Sequence, residues 1–346
     1  MRVLLTGALG YIGSAINHVL VHNGFTVIGV DASFFADTCF YREDIWQSRS
    51  EMERMVRKDI RDITKDDLYG CDAVVDFAGL ANDPSCDLNP TWTEEINHQA
   101  CVRLAKLAKQ QGVDRYIFAS SCSVYGARGG STLTEESEVE PVSEYAKAKV
   151  AAERDIRPLA DTRFCPIILR NATAFGASPR MRFDLVVNNL SAYGYTTGTV
   201  RILSDGTAWR PNIHVEDIAR AVLACLESPT DIVAAEVFNA GMDSENLQVR
   251  EIASTVAQAI PESNVEIAKG ATKDPRSYKV SFAKISNLKS FRPEWSVRKG
   301  VEELRQAFEA NHLTFKTFEA AEYHNVRRIQ ELISSGKLDD TLRFRN

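Results

Sequence analysis

A short apolar run, Arg2–Thr6, leads straight into Gly7-Ala8-Leu9-Gly10-Tyr11-Ile12-Gly13, and these glycines open an amphipathic segment over Tyr11–Asn23. No other feature constrains the fold as tightly. Glycine is needed where a backbone turns sharply after a strand and where a pyrophosphate must come close to a helix N-terminus, because a side chain would block both. Asp31 ends the next apolar run, Thr26–Asp31, at the distance from the glycines where a carboxylate accepts hydrogen bonds from an adenosine ribose. A carboxylate there also repels a 2′-phosphate. The residues after it (Ala32, Ser33, Phe34, Phe35) offer no arginine to offset that, so NAD is expected rather than NADP.

The alternation continues. Apolar runs at Ala73–Ala78, Arg115–Ser120 and Cys165–Arg170 are separated by helix-like segments at Glu94–Gln111 and Glu144–Leu159. Runs without strict polar–apolar alternation suit strands covered on both faces, so the expected fold is α/β, a Rossmann-type doubly wound parallel sheet. Residues 1–175 are expected to form it, with 211–240 returning through a helix at Val215–Leu226 and a strand at Glu236–Asn239. Residues 176–210 and 241–346 are expected to form a smaller substrate-binding portion and a C-terminal tail. The tail beyond Leu304 reads as helical, with no motif for chemistry.

A net charge of −6 argues against nucleic-acid or anionic-membrane partners, and no apolar run reaches the roughly 20 residues of a membrane span. Seven scattered cysteines without C-x-x-C pairs read as reduced thiols, and a cytoplasmic location is expected. The histidines and acids show no ligand spacing, so no metal site is expected.

Tyr145 and Lys149 stand four apart in a helix-like segment and therefore on one face. An ammonium beside a phenol stabilises the phenolate, which predicts a Tyr145 pKa drawn down towards working pH and a proton exchange coupled to hydride transfer at nicotinamide. The run Arg115–Ser120 leads into Ser121-Cys122-Ser123-Val124-Tyr125-Gly126, which sets hydroxyls at the C-terminal edge of the sheet where such folds bind ligands. A serine there can hydrogen-bond the reacting oxygen.

The glycine motif, the serine-rich strand end, Tyr145 with Lys149, and Arg210-Pro211-Asn212-Ile213-His214-Val215 together resemble the extended short-chain dehydrogenase/reductase superfamily, in its NAD-dependent nucleotide-sugar epimerase/dehydratase branch, over roughly residues 1 to 300. The resemblance implies that Ser121, Tyr145 and Lys149 are catalytic. The cofactor residues it implies are Gly7, Gly10, Tyr11, Ile12, Gly13, Asp31, the adenine-side pair Asp59 and Ile60, the loop Ala78-Gly79-Leu80, and Asn97. It also implies a homodimer through the helices at Glu94–Gln111 and Glu144–Leu159.

A nucleotide-diphosphate sugar is the implied substrate. Asn189 and Arg210 resemble the family's substrate-binding asparagine and diphosphate-binding arginine. Arg276 is a second candidate for the anion, since a guanidinium fork grips phosphate oxygens bidentately. Asn82, Ser121, Cys122, Ser123 and Thr173 are placed by position around the sugar. Relatives that eliminate water across C5 and C6 carry an Asp-Glu pair where this chain has Cys122 and Ser123, so 4,6-dehydration is disfavoured. The cysteine of 3,5-epimerising relatives is replaced by Ser123. Thr173 stands where epimerases usually have asparagine, which puts a simple transfer of UDP-galactose specificity in doubt. Two enzyme readings remain, and the motifs do not separate them: epimerisation by transient oxidation, at C4, with hydride return, which is preferred, and NAD(P)H-dependent reduction of a 4-keto-deoxysugar nucleotide. A non-catalytic NAD-sensing module is a third reading, disfavoured because the whole catalytic set is present.

Overall fold

The computed structural model describes residues 1–40, 51–127, 129, 131–272, 274 and 276–345. Seven parallel strands form the central sheet: β1 (Arg2–Thr6), β2 (Thr26–Asp31), β3 (Arg54–Arg57), β4 (Ala73–Asp76), β5 (Arg115–Ser121), β6 (Cys165–Asn171) and β7 (Val237–Ala240), in the order β7-β6-β5-β4-β1-β2-β3. The chain leaves β1 for one edge and returns at β4 on its other side. The C-terminal ends of β1 and β4 therefore flank a crevice, which is where open α/β sheets bind ligands.

All the expected strands are present within a residue or two of their predicted bounds. β3 had escaped notice because Arg54-Met55-Val56-Arg57 is an edge strand with a charged residue at each end and no apolar run to mark it. All seven residues of β6 are buried, as a strand covered on both faces requires.

Helices cover both faces. On one, α1 (Tyr11–His22) packs with the helix Val215–Glu227, closing a core around Leu5, Ile16, Val75, Ile117, Ile167 and Val222. On the other, α2 (Cys101–Gln110) and α3 (Glu144–Ile156) cover Leu4, Val74, Phe118 and Ile168. Just before α2, the turns over Glu94–Ala100 widen to i→i+5 hydrogen bonding, a form often found beside functional sites. A third core, around Phe175, Phe183, Val200, Ile252, Leu304, Phe308 and Phe318, belongs to the chain beyond the first six strands.

Helix α4 (Asn325–Ser334) and the residues after it return to the cofactor half, where Ile329, Leu332, Leu338 and Leu342 join the core beneath α2 and α3. Trp92 Nε1 donates to the Asp340 carbonyl at 2.8 Å, and Arg61 to that of Thr341 at 2.8 Å.

All seven cysteines are free thiols. Among the described residues no helix is long and apolar enough to cross a membrane. The exposed large apolar side chains, such as Tyr69, Leu203, Ile267 and Phe315, lie off α2 and α3, so the helices expected to dimerise present no apolar patch of that kind. The reading of the histidines needs one correction. His18 and His22, four apart on α1, bring ring nitrogens within 4.8 Å of each other and of the Glu51 carboxylate, a spacing hidden in sequence because Glu51 lies in a different segment.

Candidate active site

Two clefts meet above the C-terminal ends of the strands. The first, with about 1020 Å³ of open space, runs from Asp31 and Asp59 past Gly7, Gly10 and Gly13 to the loop Phe77–Ala81. The second, about 1490 Å³, continues from that loop past Ser121, Tyr145 and Lys149 to Arg210 and Arg276. Ile12, the loop Phe77–Ala81 and Arg182 line both, so the two are continuous.

The first cleft fits a dinucleotide. Gly7 has φ +67°, and a Cβ there would come 2.8 Å from the Phe77 carbonyl oxygen across the crevice. A Cβ on Gly13 would collide with the Gly7 carbonyl. The turn can therefore be this tight, and this close to β4, only without side chains. Asp31 lines the cleft, and its carboxylate accepts the Leu9 amide at 3.0 Å and the Ser33 amide at 2.7 Å, which fixes it against the glycine turn. Asp59 and Ile60 line the adenine end, Asp59 pairing with Arg61 at 2.8 Å. Tyr11 stands between the clefts and the substrate segment: its hydroxyl donates to the Gly176 carbonyl at 2.7 Å and accepts from Asn188 at 3.0 Å.

Asn97 requires a correction. It does not line either cleft. From the widened turn before α2 it brackets one residue of the loop below, accepting the Leu80 amide at 2.8 Å and donating to the Leu80 carbonyl at 2.9 Å. It positions Ala78-Gly79-Leu80, the loop that lines both clefts.

In the second cleft, β5 delivers Ser121, and α3, capped by Ser143, delivers Tyr145 and Lys149 one turn apart. Ser121 and Tyr145 line the same cleft, and the Ser121 hydroxyl acts to lower the phenol's pKa. The Lys149 ammonium lies 5.8 Å from the centre of the Tyr145 ring and 4.6 Å from that of Phe118, almost fully buried. The expected fall in the Tyr145 pKa is overturned: burial pushes the phenol above its ordinary value, and Lys149 and Ser121 only partly offset this. Spacing announces the ammonium and says nothing of desolvation.

Cys122 also departs from its expected place. Its thiol is buried, points at the Arg170 carbonyl at 3.1 Å, does not line the cleft, and is pushed far above its ordinary pKa by burial. Ser123 does line the cleft, and its hydroxyl is buried without a partner among the described residues. Asn189 turns away, donating to the Phe183 carbonyl at 2.9 Å, because one position along a helix rotates a side chain by about 100°. Its neighbour Asn188 faces inward instead. Asn82, Thr173, Arg210 and Arg276 all line the second cleft. Arg210 pairs with Asp274 at 2.6 Å, and Arg276 reaches Asp274 at 3.2 Å and Asp83 at 3.3 Å.

Sequence reading passed over Arg180, Arg182 and Asp184. Arg182 and Asp184 form a bidentate pair at 2.9 and 3.0 Å between the clefts, and Asn82 donates to Asp184 at 2.9 Å. The run Arg180-Met181-Arg182-Phe183-Asp184 was the available signal, two cations and an acid at alternate positions just after a glycine turn. Asn325 and Ile329 were missed too; they reach the first cleft from the C-terminal segment.

Residues 3–241 match the NAD dependent epimerase/dehydratase family. The chain belongs to that family. It is accordingly an NAD-dependent enzyme, with the extended short-chain dehydrogenase/reductase fold. Among curated relatives, UDP-glucose 4-epimerase of Bacillus subtilis is 27% identical over 70% of this chain and 77% of its own. Low-salt glycan biosynthesis protein Agl12 of Haloferax volcanii is 26% identical over 87% of this chain and 96% of its own. Among solved structures, MoeE5 in complex with UDP-glucose and NAD superposes with a TM-score of 0.75 at 26% identity, covering 90% of this chain and all of that one.

Proposed function

We propose that this family member is an epimerase of a nucleotide-diphosphate sugar, acting by transient oxidation at C4 and return of the hydride. The observation that carries the reading is the continuity of the two clefts, with Tyr145 and Ser121 on the wall of the second and the glycine turn in the first. A sugar seated in the second cleft thus faces both a proton-transfer group and the nicotinamide end of the first. The UDP-sugar names of the relatives support the same substrate class.

Bound NAD supplies a hydride acceptor for a carbinol carbon and, once reduced, the donor. Tyr145 takes the proton of the reacting hydroxyl as the carbonyl forms and gives it back when the hydride returns to the opposite face. Ser121 orients that oxygen by hydrogen bonding. Lys149 favours the phenolate during the exchange. Arg210 and Arg276 hold the diphosphate, exchanging their carboxylate partners for phosphate oxygens, while Ser123 and Thr173 meet sugar hydroxyls.

The C-terminal residues Asn325 and Ile329 on the wall of the first cleft favour a retained cofactor, hence epimerisation over a ketoreductase that must exchange it each turn. The test is the NAD released by denaturing purified, dialysed protein, together with turnover of UDP-sugars without added cofactor. About one NAD per chain and interconversion of C4 epimers is expected. An empty protein that oxidises added NADH with a 4-keto sugar nucleotide would overturn the reading in favour of the reductase.

A further inference from the structure

Arg180 is 3% exposed and lines the first cleft, yet among the described residues no carboxylate forms an ion pair with it. Its guanidinium donates to a neutral group, the Asn325 side-chain oxygen at 2.6 Å, and its Nε is buried without a partner among the described residues. The guanidinium lies 3.8 Å from the centre of the Phe35 ring, which holds it flat. The nearest acid in sequence, Asp184, is taken by Arg182. Asp31, the carboxylate at the ribose end, already accepts the Leu9 and Ser33 amides. Burial and the charge of Arg182 drive the Arg180 pKa down to about 9, with Asp184 and Asp31 only partly offsetting them.

A buried guanidinium with no ion-pair partner among the described residues is costly unless an anion meets it, and the glycine turn that lines the same cleft marks where a pyrophosphate lies. We propose that Arg180, positioned by Asn325 and Phe35, grips the pyrophosphate of bound NAD together with the glycine turn. The anion is thereby held by backbone amides and by a planar fork. The proposal rests on NAD occupying the first cleft and is independent of which sugar reaction follows. It also assigns a role to the C-terminal helix, whose Asn325 sets the fork.

The test compares the full-length protein with Arg180→Met, each first freed of any resident NAD, by calorimetric titration of ADP-ribose and of adenosine, which lacks the pyrophosphate. The expected result is a loss of ADP-ribose affinity of roughly ten- to a hundred-fold in Arg180→Met, the range for a hydrogen bond to a charged group, with adenosine affinity within about twofold. Without ligand, Arg180→Met should unfold at the same temperature as the parent or higher, since a buried cation has been replaced by an apolar chain of similar length. Arg180→Lys, which keeps the charge and loses the fork, should fall between them and decides the matter if Arg180→Met does not fold. Equal loss for adenosine and ADP-ribose, unchanged ADP-ribose affinity in both variants, or a loss confined to 2′-phosphorylated nucleotides would each overturn the proposal. Failure of the parent protein to bind ADP-ribose would instead overturn the assignment of the first cleft.

Discussion

The Arg170 guanidinium holds the Glu153 carboxylate at 2.6 Å, with both side chains more than nine-tenths buried. Arg170 belongs to β6 and Glu153 to α3, one turn beyond Lys149, so this pair locks the helix that carries Tyr145 and Lys149 onto the sheet. Ser120 donates to the same carboxylate, and Arg170 donates to the Tyr125 hydroxyl at 3.0 Å.

Glu153→Ala strands a buried cation and should lower unfolding stability by about 3–5 kcal/mol, measured by urea denaturation. Replacing both partners by methionine should recover part of this, because the uncompensated charge goes with them. A Glu153→Ala protein as stable as the parent would show that water reaches Arg170.

Tyr145→Phe should retain bound NAD and lose about 10²–10⁴-fold in turnover, since the phenol is the proton-transfer group of the second cleft. In the parent, turnover should rise with pH as the phenolate forms. Lys149→Met should move that limb to higher pH, because Lys149 opposes the burial that raises the Tyr145 pKa. The same raised pKa adds a loss of stability as pH climbs above about 10, where the unfolded chain gives up the proton first, and Tyr145→Phe should remove that loss. An unmoved pH limb in Lys149→Met would count against the coupling.

Cys122→Ala should turn over normally, and the parent should resist thiol reagents at this position in native protein, because the sulfur faces Arg170 and burial disfavours the thiolate. Peptide mapping after brief alkylation checks the second point. Rapid labelling of Cys122 would place its thiol in the cleft.

Asn97→Ala removes both hydrogen bonds to Leu80, leaving the buried amide unpaired at about 1–3 kcal/mol and the carbonyl with only the weak Cys86 thiol contact at 3.5 Å. The NAD content of purified protein should drop even though Asn97 touches no cleft. A variant with full NAD content would mean that the loop keeps its shape unaided.

Much of the site was legible because its chemistry is local. Gly7 to Gly13, Asp31, and Tyr145 with Lys149 are each fixed by spacing along one turn or one helix, and the sheet brings those segments together in the way parallel α/β folds require. The misplacements share a cause. Cys122 sits one residue from Ser123, which does face the cleft, and Asn189 one residue from Asn188, which faces the buried interior; sequence position alone gives no rotation about a helix or turn axis. Asn97 was found as a residue type but not as a loop clamp, since its target Leu80 lies in another segment. Arg180 and Asn325 come from stretches far apart in the chain and acquire meaning only where the fold joins them. The Tyr145 pKa was misjudged because burial, which spacing does not encode, outweighs the nearby ammonium.

The return of the C-terminal segment to the cofactor half has a consequence for how the protein is made. The glycine turn is synthesised well before Asn325, Ile329 and Leu342, which follow only after the intervening substrate portion has been translated. A nascent chain can assemble the parallel sheet but not the finished wall of its first cleft. Contacts of such long range form late and slowly. NAD should therefore be captured in stable form only after these residues have left the ribosome, and ribosome-bound chains stalled before Asn325 should carry little of it.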